Sequence, residues 1–302
     1  MTALTIRTAA KINLCLRVLG RRDDGYHEIE TVLHTIGLWD QVYLADNDSD
    51  NITLASVSGE GPADETNFCW QAASLLAERA KTKRGVVIKL DKAIPFRSGL
   101  GGGSSDAAAT LTGLVRLWKL ELAPDELSSI AAEIGADVPF FLHGGCCLAR
   151  GKGEKITRLP DLSAWLVVVM PERRISTSQA YVALKRGATR GGRRGTSRPV
   201  QRFLDALKQG ELGAIARALH NDFESVAMAG VADALQAKQD LLEAGCLGAA
   251  MSGSGSAVFG LTLDRETAAD IAARIEGRWP WIAVTPTVPA GSSIIITEAE
   301  ML

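Results

Sequence analysis

Apolar and polar residues alternate through "LTIRTAAKINLCLRVLG", "HEIETVLHTIGL", "DQVYLAD" and "NITLASV", and this alternation predicts half-buried β-strands. The segments between them, "RRDDG", "NDSDN" and "SGEGPADET", carry the glycine, aspartate and asparagine of turns. The repeat then lengthens. "TNFCWQAASLLAERAK" has helical spacing, with Thr66 placed to cap it. "GVVIKLDKAI" returns to the β-branched residues of a strand, and "SSDAAATLTGLVRLWKL" reads as a long helix. A shorter helix, "APDELSSIAAEIG", has Pro124 near its first turn and ends at Gly135. "GADVPFFLHGG" reads as a turn leading into the hairpin "CCLARGKGEKITRL".

From about Leu162 the texture changes. "AWLVVVMPE" is a buried-type strand, and three helical stretches fill much of the span from Val200 to Ala244. "CLGAAMSGSGSAVFGLTL", the helix "DRETAADIAARIEG" and the strands "IAVTPTV" and "SSIIIT" complete the chain. A soft boundary near Asp161 gives an N-terminal domain, 1–160, and a C-terminal domain, 161–302, with no linker between them and no solenoid repeat. "KRGATRGGRRGTSRP" nearly lacks large apolar residues and reads as a solvated loop; without interleaved aromatics it makes a poor RNA-binding arm.

Composition narrows the partners. The 302 residues suffice for a substantial core, and a formal net charge of −2 gives no general attraction to nucleic acid or a membrane surface. No apolar run is long enough to span a bilayer, and "MTALTIRTAAKINLCL" lacks the order of a signal peptide. The five cysteines, Cys15, Cys69, Cys146, Cys147 and Cys246, include no C-x-x-C pair, so buried thiols in a cytoplasmic protein are expected.

The chemistry concentrates at "IPFRSGLGGGSSDAAATL". A glycine-rich turn opening a helix lets backbone N–H groups approach an anion at the positive end of the helix dipole. No lysine follows in the Walker position, and the βαβ setting of a dinucleotide fingerprint is missing. Tight packing alone would account for one glycine; this many small residues before a helix favour phosphate. In "AAKINLCL", Lys11 and Asn13 leave the same face of a strand, although a lone lysine there often snorkels at an edge. Asp137 in "GADVPFF" either caps local backbone or offers a carboxylate near the phosphates. Tyr26 and His27, taken alone, read as ordinary strand and surface residues. "AAMSGSGSAVFG" is a second glycine–serine turn, either a plain hairpin or a further phosphate contact.

Taken together, "AKINLCL", "PFRSGLGGGSS" and "MSGSGSAVFG" resemble, in order and separation, the three motifs of the GHMP kinase superfamily, named for galactokinase, homoserine kinase, mevalonate kinase and phosphomevalonate kinase. The resemblance spans nearly the full chain. It implies an α+β fold of two domains, an N-terminal ATP-binding α/β domain and a C-terminal ferredoxin-like α+β domain, with ATP and Mg²⁺ as cofactors. "AKINLCLRVLGRRDDGYHEIETV" and "GADVPFFLHGG" are similar to the branch that phosphorylates the 2-hydroxyl of a cytidine-diphosphate sugar alcohol in non-mevalonate isoprenoid precursor synthesis.

The resemblance further implies that Lys11 and Asp137 are catalytic. ATP would meet Pro95, Phe96, Arg97, Ser98, Gly99, Leu100, Gly101, Gly102, Gly103, Ser104 and Ser105, with Asn67 near the adenine and a serine hydroxyl available to Mg²⁺. The small-molecule substrate would meet Asn13, Tyr26, His27, Tyr181 and Gly253, with tyrosine faces on the cytosine. A monomer or a homodimer is expected, without nucleic acid or membrane as partner. Phe96, Arg97 and Ser98 depart from the smaller residues usual at the front of that loop, and the basic segment after Lys185 has no family counterpart. Another GHMP kinase, of the homoserine or mevalonate type, and a non-catalytic nucleotide-binding protein remain the alternatives.

Overall fold

The computed structural model describes residues 3–47, 49–184 and 196–297. Strands β1 (Ala3–Arg21) and β2 (His27–Asn47) form a long antiparallel hairpin. The ends of β1 alternate between buried and accessible, whereas every residue of 8–16 is buried. That central stretch is covered on both faces, which is how a lysine and an asparagine come to lie inside the protein.

β3 (Ile52–Ser58) runs parallel to β4 (Gly85–Asp91), and α1 (Phe68–Arg79) makes the crossover that parallel pairing requires. α2 (Gly102–Leu117), α3 (Pro124–Ile134) and α4 (Val138–His143) follow, then the hairpin β5 (Cys146–Gly151) and β6 (Lys155–Arg158). α2 is the buried helix of this half. Its Ala107, Ala108 and Ala109 allow close approach, and Leu111, Leu114 and Leu117 pack into the core against β1, β2 and α1. Burying each leucine stabilises by about 1.5–3 kcal/mol.

The remaining elements are β7 (Trp165–Met170), α5 (Thr177–Ala183), α6 (Arg198–Gln209), α7 (Leu212–Ala218), β8 (His220–Asn221), α8 (Ala229–Glu243), β9 (Gly248–Met251), β10 (Val258–Thr262), α9 (Arg265–Arg274), β11 (Trp281–Pro286) and β12 (Ser292–Thr297). β7, β9, β10 and β11 form an antiparallel sheet in the order β11-β7-β10-β9, with α8 before β9 and α9 joining β10 to β11. This is the ferredoxin-like arrangement expected for the C-terminal half. The chain also returns to the first sheet, where β8 pairs parallel and β12 antiparallel with β1.

Several sequence expectations need correction. The strands expected at "HEIETVLHTIGL" and "DQVYLAD" are one strand, β2. Its register against β1 jumps from Ile36↔Ala10 to Trp39↔Ala9, leaving Gly37 and Leu38 out of the pairing. Helix α1 is capped by Asn67, whose side chain accepts from Cys69 N–H, while Thr66 bonds to Asp64. "GADVPFFLHGG" contains the short helix α4, with Pro139 in the first turn, where its missing N–H costs nothing. All five cysteines are free and buried. Most of the basic glycine-rich segment, 185–195, lies outside the described residues. Among the described residues no helix is long and apolar enough to cross a membrane.

Candidate active site

Two adjoining clefts, of about 970 Å³ and 690 Å³, meet at the glycine loop and share Phe68, Gly99, Gly101, Ser104 and Thr177 in their walls. The smaller is lined by residues 95–99 and by Gly102, Gly103, Lys92 and Asp106. Helix α2 opens into it. The first backbone bond of that helix runs from Ser105 N–H to Gly101 O (2.9 Å), so the amides of Gly102, Gly103 and Ser104 have no partner within the helix. A side chain on Gly103 would meet only the Phe68 ring, 3.8 Å away, so this face is open to a ligand.

Other loop residues serve a different purpose. Gly99 has φ +84°, and a Cβ there would run into the Ser252 carbonyl oxygen of the second glycine–serine turn. Its bareness is demanded by that close approach. Ser105 and Leu100, both expected on the phosphates, line neither cleft. Ser105 is fully buried; its hydroxyl donates to Ala9 O (2.6 Å) and pairs with the Thr8 hydroxyl, tying α2 to β1. Leu100 is buried too, and its carbonyl accepts Lys11 N–H (2.9 Å). Ser98 borders the smaller cleft, and its side chain accepts from Leu100 N–H (3.2 Å). Asn67 borders the smaller cleft, but its side chain is spent on capping α1 and on donating to Pro62 O (2.8 Å).

Lys11 stands at the junction. It is 3% exposed, and its Nζ donates to Asn13 Oδ1 and Gly99 O, each at 2.7 Å. Asp137 Oδ2 lies 3.6 Å away, and that carboxylate is 35% exposed to the larger cleft. Asp137 occupies the N-cap position of α4 without capping it, so the carboxylate remains available to the cleft. Burial lowers the Lys11 pKa, and the Asp137 charge works against that shift. Asn13 is held in turn, donating to Thr31 Oγ1 (2.9 Å). Gly253, at φ +59°, leaves little room for a side chain: a Cβ would sit 3.3 Å from both Lys11 Nζ and Gly99 O.

At the far end of the larger cleft, His27 stacks on Tyr181 with centroids 4.5 Å apart and planes 26° apart, and Phe223 meets Tyr181 edge-on at 4.9 Å. His27 covers Tyr181, while Tyr26 is 55% exposed with the Lys152 ammonium 5.0 Å from its ring centroid. Burial, with Arg21 nearby, lowers the His27 pKa. Burial and the Asp137 charge raise that of Tyr181. Both side chains are therefore neutral near pH 7, suited to stacking on an uncharged base and bonding its edge.

Sequence reasoning missed Asn221, whose Nδ2 donates to Met251 O (2.6 Å) and Gly253 O (2.8 Å) and so fixes the turn beside Lys11. It also missed Phe68, which borders both clefts. Neither stands in a glycine-rich motif, and their roles depend on contacts between distant segments.

The chain is similar to known proteins along most of its length. "GHMP kinases N terminal domain" matches residues 67–145 and "GHMP kinases C terminal" matches residues 203–280. The 4-diphosphocytidyl-2-C-methyl-D-erythritol kinase of Pelotomaculum thermopropionicum is 41% identical over 94% of this chain and 98% of its own. A crystal structure of 4-(cytidine 5'-diphospho)-2C-methyl-D-erythritol kinase superposes with TM-score 0.77 at 35% identity, covering 94% of this chain and 98% of that one. The homoserine kinase of Cytophaga hutchinsonii, at TM-score 0.74 and 20% identity over 98% of each chain, shares the fold.

Proposed function

The chain belongs to the GHMP kinases, and from that footing we propose that it transfers the γ-phosphoryl group of ATP to the 2-hydroxyl of 4-(cytidine 5'-diphospho)-2-C-methyl-D-erythritol. One observation carries the reading: the Lys11–Asp137 pair lies where a cleft opened by a helix N-terminus meets a cleft ending in stacked aromatic rings.

Phosphoryl transfer asks a protein for positioning and charge more than for covalent chemistry. In this reading the free amides of Gly102, Gly103 and Ser104 hold the triphosphate. Asp137 accepts the proton of the acceptor hydroxyl as its oxygen bonds to the γ-phosphorus and the bond to the β-phosphate oxygen breaks, giving ADP. Lys11, fixed by Asn13 and Gly99, stabilises both the carboxylate and the transferring group. Mg²⁺ suits such a site because it keeps several waters, takes phosphate oxygens and needs few protein oxygens; Ser104, in the wall of both clefts, would offer it a hydroxyl. The ion would neutralise charge on the phosphates.

The stacked His27 and Tyr181, with Tyr26 beside them, favour an acceptor bearing a base; homoserine and mevalonate have none. Retention of Lys11 and Asp137 favours catalysis over simple nucleotide binding. A coupled ADP-release assay across the three acceptors tests the proposal. Turnover with the cytidine compound alone is expected, and efficient turnover of homoserine or mevalonate instead would overturn it.

A further inference from the structure

The phosphate loop rests on a charged floor that the proposed chemistry does not use. Asp40 is fully buried, next to the point where β2 shifts its register. Its Oδ1 accepts from Ala93 N–H (2.6 Å) and Ile94 N–H (2.8 Å), and its Oδ2 accepts from the Lys92 ammonium. The same ammonium pairs with Asp106, in the second turn of α2. Gly102, where that helix starts, approaches so closely that a Cβ would lie 3.3 Å from Asp40 Oδ2. The segments leading into and out of loop 95–101 are thus tied, through Lys92, to one carboxylate of β2. Lys92 and Asp106 also line the smaller cleft, and Asp106 Oδ1 is buried without a hydrogen-bond partner.

Two carboxyl groups share one ammonium, so no spare positive charge stands beneath a place that suits a polyanion. Electrostatics alone does not favour that arrangement, and a buried charge cluster is weak evidence for stability, since apolar replacements often do as well. The cluster's contribution is therefore geometric. We propose that Asp40 is a positioning residue for the nucleoside triphosphate: with Lys92 and Asp106 it sets the separation of strand end and helix start across which the loop amides close on the phosphates. The proposal rests on the kinase reading above.

Asp40→Asn tests it. The variant keeps an oxygen for the two N–H groups and loses the charged tie to Lys92. Removing a negative charge would by itself tighten ATP binding, so a weakening reports the lost geometry. By titration calorimetry, the Kd of a non-hydrolysable ATP analogue should rise about tenfold or more, as for a lost charge-assisted hydrogen bond. The Kd of cytidine diphosphate should stay unchanged. Asp106→Asn leaves the Asp40 bonds intact and should shift the analogue in the same direction by less; it decides the matter if Asp40→Asn does not fold. Unchanged or tighter analogue binding in a folded variant overturns the proposal, as do equal losses for both ligands. Wild-type protein that binds the analogue and ignores cytidine diphosphate would refute the acceptor assignment instead, and the analogue titration would still test the clamp.

Discussion

The two clefts are built differently. The smaller is built around the free amides of a glycine loop whose neighbours are buried: Gly99 against Ser252, Ser105 bonded to β1, Asp40 and Lys92 beneath. The larger is finished by side chains, among them a half-exposed Tyr26 and a His27–Tyr181 stack. A triphosphate offers the same oxygens whatever nucleoside bears it, so helix amides in a fixed frame suffice to hold it. Choosing an acceptor takes ring faces and polar edges, which only side chains provide. Damage to the first region should cost affinity for ATP and often stability, while damage to the second should cost acceptor selection with the fold intact.

The sharpest departure from that contrast is expected where the clefts meet. Asp137→Asn should keep both affinities and lose turnover by about 10²–10⁴, the usual contribution of a positioned base. Steady-state kinetics with thermal melts would show it, and near-normal turnover in folded protein would remove Asp137 from the chemistry.

Gly103→Val sharpens the backbone side. Gly103 faces open space, so the variant should fold, yet its side chain would stand before the free amides. Losing one amide–phosphate bond is worth about 1.5–3 kcal/mol, or roughly ten- to a hundredfold in ATP Kd. Cytidine diphosphate binding should not change. An unaltered ATP Kd would mean that the phosphates lie elsewhere.

For the side-chain wall, Tyr181→Ala should raise the acceptor KM while leaving that of ATP in place. Stacking on a base contributes about 1–3 kcal/mol. Equal rises in both would show that Tyr181 supports the whole site rather than the acceptor.

The smallest effect concerns the floor. Burial pushes the Asp106 carboxyl up to about 7, partly opposed by Lys92. A carboxyl whose folded pKa lies above its unfolded one contributes stability at low pH and loses it as pH rises towards 7. The melting temperature should therefore fall across pH 5–8 by a few degrees more in wild type than in Asp106→Asn. Parallel curves would contradict this.

The same contrast explains what the sequence disclosed. Alternation in β1, the glycine loop and the long α2 are local signals, and they gave the elements directly. The single β2 was hidden because Gly37 and Leu38 interrupt its alternation, yet pairing with β1 carries the strand past them. The turn at Asp137 concealed α4 because six residues are too few to display a helical period. Ser105 and Leu100 look like their neighbours in the string of small residues; only the packing of α2 on β1 turns them inward. The aromatic end was least legible, since His27, Tyr181 and Phe223 come from three separate segments and no local pattern announces that they meet.

The most direct test of the central claim is the ³¹P NMR spectrum of the product made from ATP and 4-(cytidine 5'-diphospho)-2-C-methyl-D-erythritol. The carbon bearing the 2-hydroxyl also bears the methyl branch and no hydrogen. Phosphorylation there predicts a new phosphomonoester resonance without three-bond proton coupling, appearing alongside ADP. A resonance split by neighbouring protons would mean transfer to a different hydroxyl, and ADP without any new monoester would mean hydrolysis; either result contradicts the account.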